Sequence, residues 1–318
     1  PNIIAHGTLP FKLPRIFQPI LHMVHCQTTT APITMQRLQH IDFMKGVAIF
    51  LVVLGHVYQF SLNNCGTMFK FIYLFHMPFF FMLSGYFAYR TNLTLYHFKK
   101  KTVRLLVPFF GVGLLYAFTH HLIRPFLFNE FHAGYWFLWS LWSCWLLFFG
   151  IQWLILKLNI KSPWLEIPLL ILPFALSKII HYDWTPSLSF SFTFAFYRFF
   201  ILGYIIGKYK IVEHFLQSSY DNGNLYNYFF IAPFCFINHQ IINLIPMTLV
   251  QLVLCLSLFS LLCYVNSICA PNISKYIIEM GKNSLCIYVF HYFIIYYFVC
   301  DTLKLSSGWE FCFAVSIT

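Results

Sequence analysis

Four ionisable side chains lie within otherwise apolar stretches, where a charge is costly and a titratable group is a candidate for function. They are Lys45, His56, His76 and Arg198. Histidine can take up and release a proton near neutral pH, whereas lysine and arginine bind anions. This set suits a reaction in which a base activates a nucleophile while cations hold a charged substrate.

Lys45 and His56 belong to the same apolar segment, in which His56 follows Lys45 by 11 positions. In an α-helix this spacing is close to three turns, so both side chains face one side about 16 Å apart. Asp42 falls near the same face. The pattern predicts a functional pair. The alternative is a packed histidine together with a lysine that only sets the topology.

His76 lies in the next apolar segment, which would return through the membrane beside the first. We therefore expect His56 and His76 at similar depth, where one acts as the base and the other orients a substrate. The alternative is that His76 only forms a hydrogen bond between helices. Pro78 would kink this second helix and release a backbone carbonyl near the two histidines.

Three other polar groups are candidates for binding. The basic cluster Lys99–Arg104 precedes an apolar segment, and it suits either membrane topology or the phosphates of a substrate. Arg198 has no acid in its own segment, so we expect an anionic ligand or a distant carboxylate beside it. Ser284, Tyr288 and His291 have helical spacing and form one polar stripe, which either joins helices or lines the site.

The composition indicates which elements position these residues. Of the 318 residues, 59% are hydrophobic and 9% are charged, whereas soluble domains have about 45–50% and about 25%. Apolar segments recur at about the 20 residues that a helix needs to cross a bilayer. We predict an all-α, polytopic transmembrane helical bundle of about ten helices. The predicted spans are 43–62, 69–89, 103–123, 135–156, 163–180, 189–207, 225–241, 244–267 and 284–300, with a tenth that begins near Trp309 and is truncated at Thr318.

The net charge of +11 follows the predicted topology. With the N-terminus on the cytoplasmic side, 15 of the 20 Lys and Arg residues fall on the inner side and 4 in outer loops. Inner loops carry such an excess in membrane proteins. We expect a multi-pass protein of the cell inner (plasma) membrane with a cytoplasmic N-terminus, in contact with membrane lipid and without a nucleic-acid partner. The cysteines have no zinc or redox spacing, and we predict no metal site.

Several motifs resemble those of the membrane acyltransferase-3 family, and they occur in the family's order over about 37–300. The best match is the compact O-acetyltransferase type, which is fucose-4-O-acetylase-like. The matching motifs are IDFMKG (41–46), VVLGH (52–56), FHMPFFFMLSGY (75–86), KTVRLLVP (101–108), YWFL (135–138), FFILGY (199–204) and GKNSLCIYVFH (281–291).

The resemblance implies roles for individual residues. His56 would be the catalytic histidine, Lys45 its basic companion, and Lys101 and Arg104 the basic motif of the third helix. We place His76 with the catalytic residues and Lys100 with those that bind acyl-CoA. Substrate or structural support is expected from Asp42, Ser84, Tyr135, Trp136, Arg198, Ser284 and His291. Residues 37–318 would form the acyltransferase domain, and 1–36 an unrelated tail of upstream or foreign sequence.

The implied function is an O-acyltransferase that moves an acetyl or short acyl group from cytoplasmic acyl-CoA to a hydroxyl. The acceptor would be a cell-surface polysaccharide or a lipid-linked glycan. No cofactor would be bound, since acetyl-CoA is the donor substrate. The alternative is a membrane carrier that moves a lipid-linked sugar or a small molecule without chemistry, because transporters also place buried charges and Pro-broken helices near the midplane.

Overall fold

A computed structural model describes residues 39–61, 66–89, 94–177, 179, 188–210 and 246–297. These residues form helices and no strands, which confirms the all-α class. The predicted span at 225–241, the tenth helix and the tail at 1–36 lie outside the described residues. In chain order the α-helices are α1 (Gln39–His56), α2 (Thr67–Ala88), α3 (Leu95–Thr119), α4 (Ile123–Phe128), α5 (Trp136–Lys157), α6 (Pro163–Leu176), α7 (Phe190–Tyr209), α8 (Met247–Ile268), α9 (Pro271–Lys282) and α10 (Ser284–Tyr297).

Five of the described helices are long and apolar enough to cross a membrane: α1, α2, α3, α5 and α7. In α1 and α2 72% of the apolar window is buried, whereas in α3 only 28% is. Helices α1 and α2 therefore form the interior of the bundle, and α3 presents an apolar face outward, as a helix in contact with lipid does. Helix α6 ends at Leu176, four residues before the predicted end of its span.

Helix α3 begins at Leu95, eight residues before the predicted span. Thr94 caps it, since its side chain accepts a hydrogen bond from the backbone N–H of His97. The basic cluster therefore lies within the first turns of the helix and not in a loop before it. Lys101 and Arg104, three residues apart, consequently share one face of α3.

Helices α2 and α7 cross with their backbones in direct contact. A Cβ atom on Gly85 would overlap the backbone oxygen of Phe200, and one on Gly203 would overlap that of Met82. Small residues permit such close crossings between membrane helices. This contact holds α7 against the interior pair of helices.

Helix α9 makes a second contact of this kind, against the first turns of α1. Here a Cβ atom on Gly46 would overlap the backbone oxygen of Ile277, and one on Gly281 would overlap that of Asp42. The 12-residue α9 is too short and too polar to span a membrane. It instead fixes the end of α1 that carries Lys45.

Pro78 lies inside α2, where it cannot donate a backbone hydrogen bond to Leu74. The Leu74 carbonyl oxygen accepts instead from the side-chain amide of Gln251 on α8, at 3.0 Å. The predicted release of a backbone carbonyl is therefore confirmed. The released group joins α8 to α2 two residues before His76.

An ion pair joins α5, α6 and α7 away from the predicted site. Glu166 of α6, which is buried, pairs with Lys208 of α7 and accepts a hydrogen bond from Tyr204 at 2.8 Å. Gln152 of α5 donates to the Tyr204 oxygen at 3.1 Å. The charge on Lys208 is thus neutralised inside the protein.

The glycine contact between α2 and α7 can be tested with Gly203→Ala. The added methyl group must push α2 and α7 apart, and we expect a loss of about 1–3 kcal/mol in stability, as for overpacked cores. Thermal unfolding of the detergent-purified protein would measure it. Gly150→Ala is the control, because no atom lies within 4 Å of its added Cβ and alanine favours a helix. Equal midpoints for the two variants would contradict the prediction.

Candidate active site

His56 and His76 line the same cavity, which we call the histidine cavity. The cavity lies between α1, α2, α5, α7 and α10, and Trp136, Tyr288 and Tyr292 also line it. The two histidines, which are expected at similar depth on adjacent helices, thus come together in the structure. His56 is the last residue of α1, where a π-helical turn, Val57–Ser61, continues the chain.

Two tyrosines hold the ring of His56. The Tyr73 hydroxyl donates to the side-chain oxygen of Gln59 at 2.6 Å and lies 2.9 Å from His56 Nδ1. A hydroxyl that has given its proton to Gln59 can only accept from Nδ1–H, so Nε2 of His56 is the basic nitrogen. Nε2 lies 3.3 Å from the Tyr292 hydroxyl. The basic nitrogen is therefore directed towards a hydroxyl group.

His76 and His291 are both held by the backbone. His76 donates from Nδ1 to the Ile72 carbonyl oxygen at 2.7 Å, and His291 donates from Nδ1 to that of Tyr288 at 2.5 Å. Each Nε2 is then an acceptor. The ring of His291 lies 5.1 Å from that of His56, and its Nε2 has no hydrogen-bond partner among the described residues. The predicted polar stripe of α10 thus reaches the site.

A strained turn before α5 closes the histidine cavity. His132, Ala133 and Gly134 all have positive φ angles of 47°, 51° and 99°. The Gly134 carbonyl oxygen accepts from the Tyr288 hydroxyl at 3.0 Å, and Tyr135 donates to the backbone of α10 at 2.9 Å. Burial lowers the pKa of His132, which lies outside the spans. The turn is fixed to α10 by these two tyrosines.

A second cavity lies at the other end of α1 and contains three cations. We call it the cationic cavity. Lys45, Lys101 and Arg104 line it together with two of the predicted support residues, Ser84 and Ser284. The lysine ammonium groups lie over aromatic rings: that of Lys45 is 4.0 Å from the centre of the Phe87 ring, and that of Lys101 is 4.3 Å from that of Trp145. Such contacts attract a cation to the face of the ring.

Tyr288 lines both cavities. Helix α1 runs between them, with Lys45 in one and His56 in the other, about 16 Å apart along its axis. The arrangement can bind an anionic group at one end and remove a proton at the other. In the described part of the chain, no group of His, Cys, Asp and Glu side chains is arranged to hold a metal ion.

Comparison with known proteins identifies the family. The family model described as an acyltransferase domain, acyltransferase-3, matches residues 38–318. The chain belongs to the acyltransferase-3 family. Its long apolar helices are those of a multi-pass membrane protein.

Two curated relatives are similar to this family member. Nodulation protein NolL of Sinorhizobium fredii (strain NBRC 101917 / NGR234) is 31% identical over 192 residues, which cover 52% of this chain and 48% of NolL. Nodulation protein NolL of Mesorhizobium japonicum (strain LMG 29417 / CECT 9101 / MAFF 303099) is 32% identical over 118 residues, or 30% of this chain and 31% of that protein. The matched part of the chain therefore spans about half the length of the first relative and less of the second. No solved structure matches it significantly.

Several predicted residues of this family member lie away from both cavities. Arg198 does not line either cavity; it donates to the Thr248 hydroxyl at 3.0 Å and lies over the rings of Phe174 and Phe199. Lys100 is exposed and Asp42 is buried beneath α9. Tyr135 supports the strained turn, whereas Trp136 lines the histidine cavity.

Sequence reasoning missed the residues that orient His56. Tyr73 precedes His76 by three positions and Tyr292 follows Tyr288 by four, so helical spacing from the predicted residues could have identified both. Gln59 could not be found in this way, because it lies in the π-helical turn, where α-helical spacing no longer applies. The pairing of Lys101 with Trp145 joins distant segments and has no local signal.

The strained turn provides a test of how the histidine cavity is held. Gly134→Ala places a side chain at φ 99°, with its Cβ 2.8 Å from the Tyr292 ring. We expect about 1–3 kcal/mol of destabilisation, from backbone strain and from the displaced Tyr292. The unfolding midpoint of the purified protein would report it. In Gly111→Ala the Cβ meets nothing within 4 Å, so this control should match or exceed the wild type; a similar loss in both would refute the interpretation.

Proposed function

We propose that the protein is an O-acyltransferase that moves an acetyl or other short acyl group from acyl-CoA to a hydroxyl of a glycan. The acceptor would be a cell-surface polysaccharide or a lipid-linked glycan. The observation that carries the proposal is the position of α1, which presents Lys45 to the cationic cavity and His56 to the histidine cavity. Membership of an acyltransferase family supports the reaction class.

The cationic cavity is the proposed donor site. Arginine binds phosphate through its fork of N–H groups and lysine as a point charge, so Lys101 and Arg104 suit the phosphates of CoA. Apolar residues, among them Ile49 and Leu141, line the same cavity and suit the uncharged arm that carries the thioester. The excess of Lys and Arg around this end supports a cytoplasmic position at the plasma membrane, where acyl-CoA would enter.

The histidine cavity is the proposed reaction site. Nε2 of His56 takes the proton of the acceptor hydroxyl as the oxygen attacks the thioester carbonyl carbon. The C–O bond forms and the C–S bond breaks, and the proton passes from His56 to the departing thiolate, which gives the ester and free CoA. Tyr73 and Gln59 keep Nδ1 protonated, so that Nε2 stays basic. Nε2 of His76 accepts a hydrogen bond from the acceptor and orients it.

Replacement of His56 tests the reaction site. In His56→Ala we expect transfer to fall about 100- to 10,000-fold, which is the usual contribution of a general base. The assay incubates membranes with radiolabelled acetyl-CoA and octyl glucoside, and measures label in the glucoside that mild alkali releases. His120→Ala is the control, because His120 lines neither cavity. Undiminished transfer in His56→Ala would contradict the role of His56 as the general base. Unlabelled glucoside after incubation with wild-type membranes would favour the alternative function of a membrane carrier.

The donor site is tested by comparing two donors. In Arg104→Ala we expect KM for acetyl-CoA to rise about 10- to 150-fold, since a hydrogen bond to a charged group contributes about 1.5–3 kcal/mol. KM for S-acetylpantetheine, which lacks the phosphates, should not change. Lys161→Ala removes an exposed cation elsewhere and should leave both values unchanged. A parallel rise in KM for both donors would argue against a phosphate contact.

A further inference from the structure

Three aromatic rings form one wall of the cationic cavity, and one of them also lines the histidine cavity. Phe80, Phe137 and Tyr288 all line the cationic cavity, and Tyr288 lines the histidine cavity from its other side. The ring centres of Phe137 and Tyr288 are 5.1 Å apart, and those of Phe80 and Phe137 are 5.8 Å apart. We call this group the aromatic partition. It consists of one residue from each of α2, α5 and α10.

The aromatic partition is closely packed and fixed in place. Its three side chains are at most 9% exposed. Tyr288 is held by its hydrogen bond to Gly134, at 3.0 Å, in the strained turn. Phe81 packs edge-on against Phe137, with ring centres 5.3 Å apart. A group that enters between these rings must therefore displace side chains that are already in contact on several sides.

From this packing we infer that the aromatic partition determines the length of the acyl group that the enzyme accepts, and restricts it to acetyl and its shortest homologues. The inference rests on the proposed function. If CoA lies in the cationic cavity and the acceptor occupies the histidine cavity, the thioester carbonyl reacts beside Tyr288. The remainder of the acyl group would then lie against Phe80 and Phe137, so that a longer chain must displace these packed rings.

Chain length should therefore affect the rate strongly. One additional methylene in a fitted hydrophobic pocket changes the specificity constant about 10- to 200-fold. Butyryl-CoA carries two more methylenes than acetyl-CoA, so we expect wild-type protein to prefer acetyl-CoA by about 100-fold or more. Replacing Phe137 by leucine removes part of one ring and opens space on the donor side of Tyr288. The preference should then fall about tenfold or more.

The experiment compares donors in variants of two phenylalanines on α5. Purified wild type, Phe137→Leu and Phe148→Leu are each given acetyl-, propionyl-, butyryl- and hexanoyl-CoA with octyl glucoside, and acylated glucoside is quantified by mass spectrometry. Phe148 is buried in the same helix but packs against Phe200 and Tyr204 and lines neither cavity. The ratio of butyryl to acetyl transfer should rise in Phe137→Leu and remain at the wild-type value in Phe148→Leu. Phe80→Leu repeats the test from α2 should Phe137→Leu fail to fold.

The outcomes separate this inference from the proposed function. Equal use of acetyl- and butyryl-CoA by the wild type would overturn the inference, with no variant needed. An unchanged ratio in folded Phe137→Leu or Phe80→Leu, or an equal change in Phe148→Leu, would also overturn it. Failure of the wild type to acylate the glucoside with any of the four donors would instead overturn the proposed function, and the inference with it.

Discussion

The separation of Lys45 from His56 on one rigid helix is the constraint around which the structure is arranged. An α-helix does not shorten, so the two side chains remain about 16 Å apart along its axis. Helix α9 contacts the first turns of α1 through Gly46, and Tyr73 and Tyr292 hold the His56 end. Cation and base consequently line different cavities. A substrate that uses both must extend past Tyr288, which lines the two cavities.

Lys208 and Lys101 are held in the bundle in different ways, the first by an acidic side chain and the second by an aromatic ring. Lys208 pairs with the Glu166 carboxylate and is neutralised within the protein. Lys101 lies over the Trp145 ring, which attracts a cation but leaves its positive charge in place. Lys101 also shares a face of α3 with Arg104, and both line the cationic cavity. Lys101 therefore keeps its positive charge at a cavity, whereas the charge of Lys208 is balanced by an acid between packed helices.

Much of this arrangement follows from sequence periodicity. Helical spacing predicted that Lys45 and His56 share a face, and antiparallel succession predicted that His76 lies beside His56. For Arg198 an acid or an anionic ligand is expected, and among the described residues its side chain contacts Thr248 and two aromatic rings, since π-systems and a hydroxyl can also hold a cation. The start of α3 at Leu95 was not predicted, because a search for apolar spans passes over the charged residues in its first turns.

The turn at 132–134 could not be predicted, and it shows how the site is held. Positive φ angles at His132 and Ala133 cost about 1–3 kcal/mol each, so the surrounding structure must hold the turn in place. That structure includes α10, through Tyr288 on the Gly134 carbonyl and Tyr135 on the α10 backbone. The residues of α10 that surround His56 are thereby fixed to the start of α5. A turn with little local preference for its conformation persists because long-range contacts stabilise it, and local sequence carries no trace of those contacts.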